Sequence, residues 1–314
     1  MSLAFLYPGQ GSQRPDMLRA LPASPAVTRT LDEAALELDH TRWPAGLDDL
    51  DTAEALQSTT NVQLALLISG VAAARALIDD RGLVPAFVAG HSVGAFAAAV
   101  TAGVLTFAEA MSAVRLRGDL MQHACARGRW GMAAVLGLRS AAVGALADQV
   151  TTPDEPVWIA NINAADQIVL SGSIAALERS QAASRLAGAR RWEALEVTIA
   201  SHCPLQKPTA ERMAAHLARL PRRPQRVAYL TTTGGRRVRA DSAAVLDDLA
   251  QAVARPVQWY DAMRLMPELG ATCAVQMPPG HALAALVAGS APSMYALALE
   301  DDGIERAVAA GAAI

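Results

Sequence analysis

Residues 90–94, Gly90-His91-Ser92-Val93-Gly94, form a G-x-S-x-G pattern. A serine in that pattern can act as a nucleophile if it sits on a sharp turn between a strand and a helix. The preceding "AFVAG" (86–90) reads as a strand and the following "AFAAAV" as a helix. The glycines would allow a tight turn, and the Val93 N–H would face a developing oxyanion at the helix N-terminus. The same residues also describe a helix-capping serine between glycines.

A nucleophilic serine needs a base within hydrogen-bond reach. Six histidines are available. His40 lies in a polar stretch, and His123 and His216 fall beside polar residues in helical patterns. His91 adjoins Ser92, and neighbours at such a turn usually point apart. His281 caps or enters a helix after "PPG". His202 differs: in "VTIASHCPLQKP" it follows a strand and precedes a helix opened by Pro204. Loops at strand ends are where open α/β sheets collect functional residues. His202 therefore reads as the base, or as a histidine that caps its loop. Asp148, Asp154, Glu155 and Asp166 lie between Ser92 and His202, but within a segment of different rhythm, so no triad acid is apparent. A Ser–His dyad oriented by backbone carbonyls fits better than an ordinary esterase.

Arg117 stands out on the next helix. In "FAEAMSAVRLRGDLMQHA" (107–124), Ala110, Ala113, Val114, Leu116, Leu120, Met121 and Ala124 share one face, and Arg117 falls in the middle of it. A guanidinium stays charged, so burial requires an acceptor. A structural carboxylate, a cluster of carbonyls or a substrate carboxylate would each serve.

The elements that must position these groups are legible as a rhythm. Short apolar runs at 3–7, 86–90, 227–233, 273–277 and 295–299 alternate with helical patterns, which implies a mostly parallel α/β sheet covered on both faces. Residues 128–197 read instead as β-α-β-β-α-β, with helices at 140–150 and 173–187. We expect a ferredoxin-like small domain there, inserted between 1–127 and 198–314 of the large domain.

Composition narrows the classes. The chain of 314 residues is 52% hydrophobic, 18% charged and carries a net charge of −3, without a long basic block, so nucleic acid is not an expected partner. Three cysteines (Cys125, Cys203, Cys273) have no metal-ligand spacing and read as reduced thiols of a cytoplasmic protein. "MSLAFLYPGQG" lacks the marks of a signal peptide. "LALLISGVAAARAL" is interrupted by Arg75, so no membrane span is expected. Lys207 is the only lysine; with Arg236, Arg237 and Arg239 it reads as a solvated basic face or as contacts for phosphates or for an acidic partner.

"YPGQGSQ", "GHSVG", "RLRGDLMQ", "ANINAADQIVLSG", "SHCPLQKP", "RPVQW" and "PPGHALAAL" occur in the order and spacing of malonyl-CoA:acyl-carrier-protein transacylases, and the chain resembles that family from about residue 3 to about residue 290. The resemblance implies an α/β-hydrolase-like large domain with a ferredoxin-like insertion. It implies Ser92 as nucleophile and His202 as base, then acid. Gln10 and Val93 would supply the oxyanion hole through their N–H groups, and Arg117 would hold the malonyl carboxylate. Gln258 would orient His202 through its main-chain carbonyl. The implied reaction is ping-pong, with malonyl-CoA as donor and an acyl carrier protein as acceptor, and with no permanently bound cofactor or metal. Asn161 and Asn163 read as residues that satisfy turn backbone or help to shape the pocket.

Departures from the pattern point to one branch. Members in fatty-acid synthesis usually carry an acidic residue where Ala95 stands. "TTTGGRR" replaces an Asn-containing strand end, and "PGQGSQRPDMLRALP" shortens the first helix. With "STTNVQLALLISGVAAARAL", these features look like the malonyltransferase (epsilon) subunit of malonate decarboxylase, which charges a carrier subunit bearing a phosphoribosyl-dephospho-CoA group. The competing readings are a malonyltransferase of fatty-acid synthesis, a serine hydrolase and a non-catalytic carrier-docking subunit.

Overall fold

The computed structural model of the chain describes residues 2–312. The strands are β1 (Ser2–Tyr7), β2 (Phe87–Gly90), β3 (Trp130–Leu136), β4 (Val157–Ala164), β5 (Gln167–Ser173), β6 (Arg191–Ala194), β7 (Ala228–Leu230), β8 (Arg237–Val238), β9 (Ala271–Gln276) and β10 (Tyr295–Ala298). The helices are α1 (Pro25–Glu37), α2 (Thr59–Asp79), α3 (Gly94–Thr101), α4 (Phe107–Ala124), α5 (Ser140–Val150), α6 (Ile174–Leu186), α7 (Lys207–Leu217), α8 (Ser242–Gln251), α9 (Trp259–Glu268), α10 (Ala282–Ser290) and α11 (Leu299–Ala312).

The apolar runs at 3–7, 86–90, 227–233, 273–277 and 295–299 all enter one sheet, in the order β10-β9-β1-β2-β7-β8. Its pairings are parallel except at the β7–β8 edge. β1 and β2 are buried along nearly their whole length, as strands covered on both faces must be. The run at 227–233 is a strand only to Leu230. Beyond it, Thr232 and Thr233 leave the ladder because their N–H groups donate to the Asp248 carboxylate.

The second sheet has the order β4-β5-β3-β6 and is antiparallel throughout. Its strands all lie within 128–197, and the order is that of a split βαβ unit. β6 stops at Ala194, three residues before the expected end, because the Val197 N–H turns back onto the Leu195 carbonyl. The two sheets meet at a parallel bridge between Asn161 and Val257, with the Ile162 N–H on the Val257 carbonyl at 2.8 Å and the Val257 N–H on the Ala160 carbonyl at 2.8 Å.

Arg75 does not interrupt α2 as the sequence pattern implied. The helix's 21 residues run straight through it, and by length and composition the helix could cross a membrane, yet 83% of its most apolar window is buried inside the fold. Arg75 is accommodated at the helix margin by Glu33 of α1 at 2.6 Å and by the Phe107 ring 5.2 Å away. α2 therefore serves as a core helix.

Candidate active site

The turn from β2 to α3 places Ser92 in a left-handed backbone conformation, with φ +56°. Non-glycine residues adopt that conformation at a cost of about 1–3 kcal/mol, and only where the surroundings enforce it. The flanking glycines show what enforces it. A Cβ on Gly90 would lie 2.1 Å from the Ala95 nitrogen, and one on Gly94 would lie 2.2 Å from the Tyr7 carbonyl oxygen. The helix-capping alternative fails, since the Ser92 hydroxyl meets His202 and Arg117 and caps no N–H of α3.

The Ser92 hydroxyl lies 2.8 Å from His202 Nε2. His202 is 2% exposed and is itself at φ +59°. Its Nδ1 lies 2.6 Å from the Ala252 carbonyl, so Nδ1 carries the proton and Nε2 is free to accept one from Ser92. Its main-chain N–H donates to the Val253 carbonyl at 2.7 Å. Burial, then the charge of Arg117, lower the His202 pKa from 6.5 to about 3. A neutral imidazole is the state a general base requires.

Gln258 does not meet His202. Its carbonyl accepts the Ala262 N–H in the first turn of α9, and its own N–H donates to Thr232. The orienting carbonyl is Ala252's. Any residue type carries a carbonyl, so no signal in the sequence could single it out. The acids between Ser92 and His202 are also elsewhere: Asp166 pairs with Arg190 and Glu155 with Arg179.

Arg117 is 1% exposed. One Nη donates to Gln63 Oε1 at 2.6 Å and the other to Ser92 Oγ at 3.1 Å. Its Nε has no partner, and among the described residues no carboxylate pairs with it. Burial lowers its pKa to about 10. Of the three acceptors open to it, carboxylate, carbonyl cluster or ligand, the fold supplies only one amide and one hydroxyl. Gln63 was missed, although a glutamine inside an otherwise apolar helix is the kind of signal that marks it.

Among the described residues, neither the Gln10 N–H nor the Val93 N–H is taken by a backbone acceptor. A cavity of about 370 Å³ opens over Ser92, and Gln10, Met121, Met132, Asn161 and His202 contribute to its walls. Asn161 and Asn163 lie on β4 rather than in a turn. Asn163 Oδ1 accepts from His91 Nε2 at 3.0 Å, while Asn161 Oδ1 is buried without a partner. His91 points away from the Ser92 hydroxyl, as expected, and packs 5.5 Å from Trp259. Lys207, Arg236, Arg237 and Arg239 are exposed at the surface.

Such an arrangement can carry out acyl transfer: a hydroxyl and a neutral base open on one cavity, and a buried cation rests on that hydroxyl from behind. Known proteins agree with it. The family model described as acyl transferase domain matches residues 4–311. The malonyl CoA-acyl carrier protein transacylase of Escherichia coli K12 is 36% identical over 299 residues, covering 95% of this chain and 96% of that protein. Its counterpart in Bacillus subtilis is 33% identical, covering 98% and 96%. Among solved structures, an acyl-carrier-protein S-malonyltransferase from Burkholderia pseudomallei superposes with a TM-score of 0.90 at 32% identity, covering 98% of this chain and all of that one. A malonyl-transacylase solved in complex with a type II polyketide acyl-carrier protein gives 0.88 at 29% identity, covering 97% and 99%.

Proposed function

The chain belongs to the acyl transferase domain family, and from that premise we propose that it transfers a malonyl group from CoA to a carrier-protein thiol through an ester on Ser92. In the first half, His202 Nε2 takes the Ser92 proton as Oγ attacks the thioester carbonyl. The oxyanion is received by the Gln10 and Val93 N–H groups. The C–S bond then breaks, and the proton on His202 passes to the departing CoA sulfur. In the second half, His202 takes the proton of the carrier's pantetheine thiol, the thiolate attacks the malonyl-Ser92 ester, and the proton returns to Ser92 Oγ. A thiol is a good leaving group, so a carboxylate behind His202 is not needed. Nor does any step call for a metal or resident cofactor.

The observation that carries this reading is Arg117. It is a buried cation, lacking a carboxylate partner, with one Nη on the nucleophile itself. A substrate whose free carboxylate sits one short acyl chain from the thioester carbonyl would complete it. Malonyl fits that description and acetyl does not. A serine hydrolase of simple esters gains nothing from such a cation, and a docking subunit needs no Ser–His contact.

For the acceptor, we propose the carrier subunit of malonate decarboxylase, on the strength of Ala95, the "TTTGGRR" strand end and the "PGQGSQRPDMLRALP" segment, which forms turns instead of a helix. The alternative acceptor is the carrier of fatty-acid synthesis; the relatives' names specify an acyl carrier protein and no pathway. We also read 128–197 as an inserted domain that supplies one cavity wall. The three buried, unpaired cysteines support a reducing, cytoplasmic setting.

Mass spectrometry after mixing with malonyl-CoA tests the reaction: an adduct is expected on Ser92 and none on Ser92→Ala. An adduct on the variant overturns the assignment. Offering both carriers then tests the acceptor, and preference for the fatty-acid carrier overturns that part alone.

A further inference from the structure

Asp248 is a buried carboxylate that the steps above do not use. Its Oδ2 accepts the Tyr229 hydroxyl at 2.8 Å and the Thr232 N–H at 2.8 Å. Its Oδ1 accepts the Thr233 N–H at 2.9 Å and the Thr233 hydroxyl at 2.7 Å. A buried carboxylate is tolerated only when its lone pairs are filled in this way. Burial still pushes its pKa up, against the pull of those donors. The group is thus held at some expense in stability, and its surroundings suggest why.

Through its side chain, Asp248 fixes the end of β7. There the Thr232 hydroxyl donates to the Gly90 carbonyl at 3.3 Å, and Gly90 opens the turn that carries Ser92. Through its main chain, Asp248 fixes the other half of the dyad. Its carbonyl accepts the Ala252 N–H, and the Ala252 carbonyl is the one that meets His202 Nδ1. The contacts close a ring: Ser92, His202, Ala252, Asp248, Thr232, Gly90 and back along the chain to Ser92.

We propose that Asp248 is a positioning residue for acyl transfer, bracing the support of Ser92 against the support of His202 and so holding their 2.8 Å contact. Ser92 and His202 come from elements 110 residues apart, and side-chain rotation alone would let them separate. Proton transfer in the attacking step depends steeply on that separation. The proposal rests on Ser92 and His202 acting as nucleophile and base, but not on the identity of the acyl group.

The test compares wild type, Asp248→Asn and Thr232→Val. Thr232→Val keeps the N–H that Asp248 accepts and removes only the hydroxyl on Gly90, so it spares the fold if Asp248→Asn does not. Two rates are read per folded molecule: phosphonofluoridate labelling of Ser92, and single-turnover acylation by malonyl-CoA, with donor affinity measured separately. The labelling rate should fall about ten-fold or more in Asp248→Asn and several-fold in Thr232→Val, with donor affinity within about two-fold of wild type. The double variant should be no slower than Asp248→Asn, because both substitutions cut one ring. Labelling within two-fold of wild type in the variants that fold, even with a lowered Tm, would assign Asp248 to stability alone and overturn the proposal. A wild-type Ser92 inert to the phosphonofluoridate would overturn it too. Normal labelling without malonyl transfer would overturn only the choice of donor.

Discussion

Arg117 Nη2 donates to the Ser92 hydroxyl at 3.1 Å, so the cation rests directly on the nucleophile. Neither partner relieves the other. The hydroxyl supplies a weak acceptor to a desolvated charge, and Nε is left with none. Binding a carboxylate would satisfy the guanidinium and release Ser92 for attack.

Arg117→Ala should therefore lower the malonyl-over-acetyl preference, read as a ratio of kcat/KM values, by roughly 100-fold, or about 3 kcal/mol. An unchanged ratio would leave Arg117 with a structural role. The same logic predicts a gain in stability. Arg117→Met, which fills similar space without the charge, should stabilise the free protein by about 1 kcal/mol in urea unfolding while losing malonyl transfer. A destabilised Met variant would mean that the Gln63 bond outweighs the desolvation of the charge.

The pH dependence follows from the His202 pKa, lowered to about 3 by burial and by Arg117. Unfolded, the imidazole binds a proton near its ordinary 6.5; folded, it does not until about pH 3. Stability due to this group is thus present above about 6.5 and is lost as pH falls toward 3. His202→Gln should flatten that part of the stability curve, as followed by denaturant titration at successive pH values. Kinetics should show a linked effect. A bound carboxylate neutralises Arg117 and removes one cause of the lowered pKa. The acid limb of kcat with malonyl-CoA should then lie at higher pH than with acetyl-CoA. Coincident limbs would mean that Arg117 is not neutralised by the substrate.

Ser92, His202 and Arg117 were legible in the sequence because each breaks a local rule. A serine between two glycines, a histidine at a strand end and an arginine on an apolar face all require an explanation. The parallel sheet was legible for a similar reason, since runs apolar on both faces need cover on both sides. Ala252 and Asp248 were not. Ala252 acts through a carbonyl that every residue has. Asp248 sits beside Asp247 in an ordinary amphipathic helix, and only the fold shows which of the two is inside. The edge strand β8 has two residues and no pattern to read. The resemblance implies the Gln258 main-chain carbonyl, but that carbonyl closes the first turn of α9, and the Ala252 carbonyl six residues earlier meets His202.

Glycines around the nucleophile separate necessary from dispensable ones. Gly94→Ala would force a Cβ to 2.2 Å from the Tyr7 carbonyl oxygen, against backbone that cannot yield. We expect Gly94→Ala to be insoluble or inactive. Gly289, in α10, has open space where a Cβ would stand. Gly289→Ala should stabilise by about 0.5–1 kcal/mol with unchanged activity. Thermal unfolding and Ser92 acylation of the two variants check the contrast, and a soluble, active Gly94→Ala protein would contradict the assigned turn geometry.

Asn163 offers a test of how the second sheet supports the nucleophile. It reaches from β4 to His91 Nε2 at 3.0 Å, and burial lowers the His91 pKa, so His91 is neutral and donates. The His91 backbone is packed in turn against Gly9, where a Cβ would meet the His91 carbonyl oxygen at 2.6 Å. Gly9 precedes Gln10, whose N–H we assign to the oxyanion. Asn163→Leu should thus strand a buried donor at a cost of about 1–3 kcal/mol, and slow Ser92 acylation as the Gly9–Gln10 backbone shifts. His91→Phe removes that donor while keeping a ring against Trp259. Combined with Asn163→Leu, it should cost less than the sum of the two single changes. Urea unfolding of the four proteins measures the coupling, and strictly additive losses would mean that the two side chains do not depend on each other.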